Sequence, residues 1–77
     1  MRAVITNAED LGRLVRLVRE TRNWTQDQLA AALGSSQRYV SELELGKPKR
    51  ADAEYFRTLS RLGIVLTAEV SIPGRDK

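Results

Sequence analysis

Cysteine and histidine are both absent from this chain of 77 residues. Their absence excludes disulfide bonds, thiolate or imidazole metal ligands, and nucleophile pairs of the Ser/His or Cys/His type. Aromatic residues make up only 5% of the chain, and a chain of this length builds a modest core rather than a deep enzyme pocket with its supporting shell. The composition therefore favours a small binding module over an enzyme, and it indicates no cofactor.

Long hydrophobic runs are also missing. No apolar segment approaches the roughly 20 residues that a membrane-spanning helix needs. The first ten residues, MRAVITNAED, lack the hydrophobic region of a signal peptide. We therefore expect a cytoplasmic protein with no membrane partner.

The charge of the chain is informative through its distribution. Thirteen basic and ten acidic residues give a net charge of only +3, which is a weak argument for nucleic acid. Between residues 34 and 51, however, basic side chains outnumber acidic ones, and arginine provides forked donors that suit phosphate and guanine. The basic residues of this segment are Arg38, Lys47, Lys49 and Arg50.

A short helix is predicted over Gln26–Leu33. Thr25 can accept a hydrogen bond from the first turn while Gln28, three residues later, reaches back to the backbone of Thr25, which makes a capping box. Gly34 follows the last apolar residue, where helices commonly end in a left-handed residue. Trp24, just before the cap, is expected to anchor the helix to the core rather than to stack on a base.

A second helix is predicted directly afterwards, over Gln37–Leu45. Ser36 stands in the capping position and Gly46 ends the helix. Two helices joined by a tight turn form the unit that lays its second helix in the major groove of DNA. With Val40 and Leu43 facing inward, four polar side chains face outward: Gln37, Arg38, Ser41 and Glu42.

Two further helices flank this pair. Asn7 caps a helix over about Ala8–Arg22, and Asp52 caps one that runs to Leu62 and stops at Gly63. Apolar residues recur in both at helical spacing. They are Leu11, Leu14, Val15 and Val18 in the first helix, and either Tyr55 or Phe56 with Leu59 and Leu62 in the last.

The segment after Gly63 changes to an alternating pattern, which predicts a β-strand. A lone strand needs a partner, and the chain itself offers only the short stretch Arg2–Thr6. The alternative, which we favour, is the same strand of a second copy, paired about a two-fold axis. We thus expect a DNA-binding domain over 1–63, a dimerising strand over 64–72 and a frayed tail over 73–77. One face of the strand carries Ile64, Leu66, Ala68, Val70 and Ile72.

Several motifs resemble those of a known family. The run TQDQLA, then LG, SSQRYVSELE and GK, is similar to the Xre/Cro family of helix-turn-helix repressors over about residues 8–66. This resemblance implies a mainly α, lambda-repressor-like domain. Within the family, LVRETRNWTQDQLA, GKPKRAD and EYFRTLSRLGIVL, with the terminal strand, resemble HipB-like antitoxins of type II toxin–antitoxin systems.

HipB-like antitoxins have four helices and a dimerising strand, repress their own operon as dimers and bind a HipA-type serine/threonine kinase toxin. The resemblance therefore implies three partners: a palindromic operator in double-stranded DNA, a second copy of the chain and a HipA-type toxin. It implies no small-molecule substrate. Two alternatives are a stand-alone Xre-family repressor of phage or metabolic type, and an interaction module that neutralises a partner enzyme, with DNA binding secondary.

The resemblance assigns base reading to Gln37, Arg38 and Glu42, with Ser41 beside them. Glutamine suits adenine and arginine suits O6 and N7 of guanine, so physical reasoning supports the first two. Glu42 departs from the amide often found at its position. It either accepts from a cytosine amino group or pairs with Arg38 four residues earlier, and the sequence leaves both alternatives open.

Other positions are assigned to the DNA backbone and to the interior. Gln26 begins its helix, where free N–H groups make an anion site; its alternative is simply to face water. Arg19 and Glu44 match the buried ion pair of the family. This pair ties the helix over Ala8–Arg22 to the predicted reading helix over Gln37–Leu45. The expected phosphate contacts are Thr25, Gln26, Ser36, Lys47, Lys49 and Arg50.

Overall fold

The computed structural model describes residues 1–47, 53–69 and 71–72. Within these ranges lie four α-helices, in chain order α1 (Ala8–Thr21), α2 (Gln26–Leu33), α3 (Gln37–Glu44) and α4 (Ala53–Arg61). The mainly α, four-helix architecture is confirmed, and α2 has the predicted bounds. The other helices each end one residue before the predicted last residue, because terminal turns fray.

Side-chain caps begin the helices where the sequence predicts them. Asn7 Oδ1 accepts from the backbone N–H of Asp10 at 2.7 Å. Thr25 and Gln28 form the reciprocal capping box, with hydrogen bonds of 3.1 and 2.8 Å. Ser36 accepts from the first turn of α3, whereas the cap predicted for α4 lies outside the described residues. These caps satisfy N–H groups that would otherwise lack partners.

The turn between α2 and α3 depends on glycine. Gly34 lies in the left-handed region, with φ of +68°. Glycine adopts this conformation at little cost because it has no side chain. Its N–H bonds to the carbonyl of Ala31 at 3.2 Å, and the N–H of Ser35 bonds to Ala30 at 2.8 Å. This ending satisfies the last carbonyls of α2 and turns the chain directly into the cap of α3.

Helices α1 and α3 pack with their backbones in contact. A Cβ atom added to Gly12 would lie 2.4 Å from the carbonyl oxygen of Glu44 and 2.6 Å from that of Leu43. At the end of α3, a Cβ on Gly46 would lie 2.6 Å from Cα of Glu9. No side chain fits at either glycine, so the position of α3 on α1 is closely defined.

The core contains apolar side chains from each helix. Trp24 packs against this core while half-buried, as expected of an anchor rather than a base-stacking residue. In α4 the buried aromatic residue is Tyr55, and Phe56 is 52% exposed. The buried apolar residues are Leu11, Val15, Leu29, Ala30, Val40, Leu43, Tyr55, Leu59 and Leu62.

The C-terminal segment forms no strand in the single chain over its described residues, 64–69 and 71–72. The stretch Arg2–Thr6 forms none either, so pairing within the chain is not observed there. Ile64 packs against the core, while Val70 and residues 73–77 lie outside the described residues. Pairing across a dimer therefore stays a prediction. Several side chains of the segment are exposed: Val65, Leu66, Ala68 and Ile72.

Candidate nucleic-acid interface

Helix α3 packs with one side on the domain and leaves the other toward solvent. Val40 and Leu43 are completely buried, at 0% and 1% exposure, and they hold α3 against α1 and α2. The four predicted base-reading side chains remain on the accessible side, although to different degrees. Gln37 and Arg38 are exposed, whereas Ser41 and Glu42 are half-buried.

Arg38 and Glu42 form an ion pair along the outer side of α3. The Nε atom of Arg38 lies 3.4 Å from Oε2 of Glu42, and the Arg38 side chain is 81% exposed. Such an exposed pair at i,i+4 contributes only a few tenths of a kcal/mol. The structure thus shows the pairing alternative in the free chain.

A buried ion pair connects α3 to α1. Arg19 Nε donates to Oε2 of Glu44 at 2.5 Å, and its Nη2 donates to Oε1 at 3.1 Å. The remaining arm, Nη1, donates to the carbonyl of Trp24 at 2.7 Å. The hydrogen bond to Glu44 raises the pKa of the Arg19 guanidinium, while burial acts in the opposite direction. The pair ties both helices to the start of α2.

Gln26 occupies a position that the sequence did not reveal. Instead of facing water, it is half-buried and donates from Nε2 to Oε1 of Glu44 at 3.0 Å. Its own Oε1 accepts from Nε2 of Gln37 at 3.4 Å. The available sequence signal was that Gln26 and Gln37 each begin one helix of the pair, but only packing brings the two amides together.

The predicted phosphate contacts lie at helix N-termini and in the loop after α3. Thr25 and Ser36 are exposed caps of α2 and α3, where backbone N–H groups and the helix dipole favour an anion. Each hydroxyl accepts a capping hydrogen bond and can still donate one. Lys47 is exposed, and Lys49 and Arg50 lie outside the described residues.

Away from α3, a cavity of about 240 Å³ opens between the ends of α1, α2 and α4. Arg22 donates there to the carbonyl of Leu62 at 3.2 Å, and Arg61 donates to that of Ala32 at 3.0 Å. Among the described residues that line this cavity there is no carboxylate. Its lining residues are Arg22, Trp24, Leu29, Ala32, Leu33, Arg61 and Leu62.

Two other kinds of site are absent from the described ranges. In residues 1–47, 53–69 and 71–72, no three carboxylate, His or Cys groups are placed to hold a metal ion. No helix within those ranges is long and apolar enough to cross a bilayer.

Comparison with known proteins identifies the helix pair. The helix-turn-helix family model HTH_3 matches residues 15–62, which include α2, the turn, α3 and α4. The chain belongs to the helix-turn-helix family. The proteins of this family are DNA-binding transcriptional regulators rather than enzymes.

One helix-turn-helix relative matches nearly end to end. The chain is 36% identical over 73 residues to the uncharacterised HTH-type transcriptional regulator y4mF of Sinorhizobium fredii, over 95% of this chain and 93% of that protein. Near-equal coverage of both chains means that the likeness is not limited to the helix-turn-helix unit.

Solved structures extend the likeness to a named protein. The chain is 25% identical to HipB in a HipA–HipB–O2–O3 complex, with a TM-score of 0.73 over 92% of this chain and 100% of that chain. A HipB–O4 20-mer complex gives the same identity, coverage and TM-score. The likeness thus covers the full length of the matched HipB chain and includes the four-helix fold.

Proposed function

We propose that this helix-turn-helix regulator is a sequence-specific repressor and the HipB-like antitoxin of a toxin–antitoxin operon. The observation that carries the proposal is the match at 25% identity to the entire HipB chain of a HipA–HipB complex. In this proposal the chain represses its own operon and binds a HipA-type kinase toxin. Its location in the cytoplasm belongs to the same proposal.

In the proposed complex, α3 enters the major groove. Gln37 reads adenine and Arg38 reads guanine through paired hydrogen bonds, and their exposure on the free surface of α3 supports these roles. Ser41 and Glu42 lie further along the same side. The proposed phosphate contacts are Thr25, Gln26, Ser36, Lys47, Lys49 and Arg50.

The proposal includes a homodimer on a palindromic operator. Two copies of α3 would then lie one helical turn apart, roughly 34 Å. Exposed apolar side chains of the C-terminal segment support this pairing, since Leu66 is 44% and Ile72 is 46% exposed in the single chain. The proposed dimerising strand carries one alternating apolar set, Ile64, Leu66, Ala68, Val70 and Ile72.

Two measurements test the two parts of the proposal, repression of the operon and binding of the toxin. A reporter driven by the DNA upstream of the gene should be repressed by the chain, and Gln37→Ala with Arg38→Ala should relieve this repression. The chain should also co-purify with a HipA-type kinase encoded beside it and restore the growth that the kinase inhibits. Repression without kinase binding would contradict only the antitoxin role and leave the repressor role standing.

A stand-alone Xre-family repressor is the second candidate. The relative y4mF is named only as a transcriptional regulator, and it matches this chain more closely in sequence than HipB does, at 36% against 25%. This candidate predicts full repression by the chain alone and no change when a HipA-type kinase is added.

A further inference from the structure

A chain of hydrogen bonds runs from the interior of the domain to the outer end of α3. It starts at the carboxylate of Glu44, whose side chain is only 4% exposed. Gln26 Nε2 donates to this carboxylate at 3.0 Å, and Gln37 Nε2 donates to Gln26 Oε1 at 3.4 Å. Because Gln37 is exposed, the chain connects a buried charge to a proposed base-reading group.

The chemistry of the buried end determines the direction of every bond in this chain. A carboxylate only accepts hydrogen bonds, and both oxygens of Glu44 already accept from Arg19. Gln26 must therefore turn its NH₂ group toward Glu44 and its carbonyl oxygen away. That oxygen accepts, so Gln37 must donate to it. A reversed Gln26 amide would place its carbonyl oxygen against a carboxylate oxygen.

We infer that Glu44 is a positioning residue for base recognition, because it sets the orientation in which Gln37 presents its amide. With one N–H engaged by Gln26, Gln37 is left with Oε1 as an acceptor and one N–H as a donor. Adenine offers a matching donor and acceptor in the major groove, whereas guanine offers two acceptors. This inference rests on the proposed base-reading role of Gln37.

The expected consequence is discrimination between adenine and guanine at one base pair. A good bidentate contact discriminates by about 5- to 150-fold. An unrestrained Gln37 amide can offer both of its N–H groups to the two acceptors of guanine. Loss of the restraint should therefore reduce the preference for adenine while leaving preferences at other base pairs unchanged.

The test uses the full chain and duplex DNA that the wild-type protein selects from a randomised library. Gln37→Ala first identifies the base pair at which preference depends on Gln37. Binding of Glu44→Gln and Gln26→Leu is then measured on duplexes that carry A·T or G·C there. We expect both variants to lose most of the adenine preference. A glutamine at 44 can either accept or donate and so no longer fixes the Gln26 amide, and a leucine at 26 removes the hydrogen bonds that connect residue 44 to Gln37.

Glu20→Gln is the matched control. Glu20 also accepts from an arginine, Arg16, at 3.1 Å, but on the exposed side of α1. The control should keep the wild-type ratio of adenine to guanine binding. Thermal melts by circular dichroism report whether each variant is folded. Gln26→Leu leaves the Arg19–Glu44 pair intact and still tests the link between Glu44 and Gln37 if Glu44→Gln does not fold.

Two results would overturn the inference, and they are distinguishable. If folded Gln26→Leu weakens binding to every duplex equally and keeps the adenine preference, Gln26 contacts phosphate and Glu44 is only structural. If Gln37→Ala changes no preference at any base pair, or the wild type selects no sequence, the proposed reading role of Gln37 fails and the inference fails with it.

Discussion

At the scale of single residues, burial separates two kinds of charged side chain on α1 and α3. The Arg19 and Glu44 side chains are 11% and 4% exposed, and those of Arg38 and Glu42 are 81% and 32% exposed. The same chemistry therefore has different consequences. Removing one partner inside leaves a charge without water, while removing one outside leaves a hydrated charge.

Arg19→Ala should destabilise the domain strongly. It removes the arginine partner of the buried Glu44 carboxylate, which keeps only the hydrogen bond from Gln26, and it removes the donor to the Trp24 carbonyl. Breaking a buried pair on one side costs about 3 to 5 kcal/mol. Urea unfolding followed by circular dichroism gives the free energy of unfolding. Arg16→Ala, which breaks the exposed pair with Glu20, should lie close to wild type. Equal melts for the two variants would contradict the structural role of Arg19.

Arg38→Ala and Lys47→Ala should affect DNA binding in different ways. Arg38→Ala is expected to cost roughly 1 to 3 kcal/mol on the operator and to flatten preference at one base pair, because it removes a base contact. Lys47→Ala should weaken binding to all sequences alike and lower the salt slope by about one, because it removes a phosphate contact. Titrations on operator and scrambled DNA at several salt concentrations measure both effects. Equal losses on both DNAs for Arg38→Ala would make Arg38 a phosphate contact.

At the scale of helices, the contact between α1 and α3 positions the proposed reading surface. The two backbones touch at Gly12, where an added Cβ would meet carbonyl oxygens rather than flexible side chains. Those carbonyls cannot move aside, so α3 itself would have to shift. The orientation of the side chains at Gln37 and Arg38 thus depends on a residue that makes no contact with DNA in this proposal.

Gly12→Ala should therefore weaken DNA binding as well as stability. Alanine favours helix by about 1 kcal/mol over glycine, but overpacking costs about 1 to 3 kcal/mol, and at 2.4 Å from backbone the steric cost prevails. Gly34→Ala is the control: it has no neighbour within 4 Å and is strained only by its φ of +68°. It should lower the melting temperature yet keep operator affinity where folded. Unchanged affinity for Gly12→Ala would argue against a rigid α1–α3 contact.

At the scale of the whole molecule, the C-terminal segment is the part proposed to pair with a second copy of the chain. Its described residues form no strand, and its apolar side chains are exposed on both alternating sets, Val65 at 83% and Leu66 at 44%. A strand at the edge of a sheet can pair with another chain through its backbone groups. A second copy would also supply the second α3 that a palindromic operator requires.

Truncation after Gly63 should convert a dimer into a monomer. Analytical ultracentrifugation measures this directly, and operator affinity should fall because only one half-site is bound. The alternation supplies a matched pair in the full chain: Leu66→Arg places a charge in the apolar set of the proposed strand, whereas Val65→Arg changes the other set. Only the first should dissociate the dimer. If the truncated chain remains dimeric with unchanged affinity, the interface lies elsewhere.

The sequence by itself determined the local structure of this protein. Asn7, Thr25 and Ser36 mark helix starts and Gly34 marks the turn, because capping and left-handed geometry are decided by neighbouring residues. The apolar spacing likewise identified the core, and motif spacing identified the helix-turn-helix. These features involve contacts within a few residues, so the linear pattern contains them.

Only the tertiary structure decided how separate helices meet. The sequence offered Gln26 as a phosphate ligand or a solvated residue, and packing placed it between Glu44 and Gln37. Similarly, a helical pattern allowed either Tyr55 or Phe56 inside, and the packing of α4 buried Tyr55. Hydrogen bonds between side chains on different helices depend on distances that no periodicity encodes, since the same spacing is compatible with several crossing geometries.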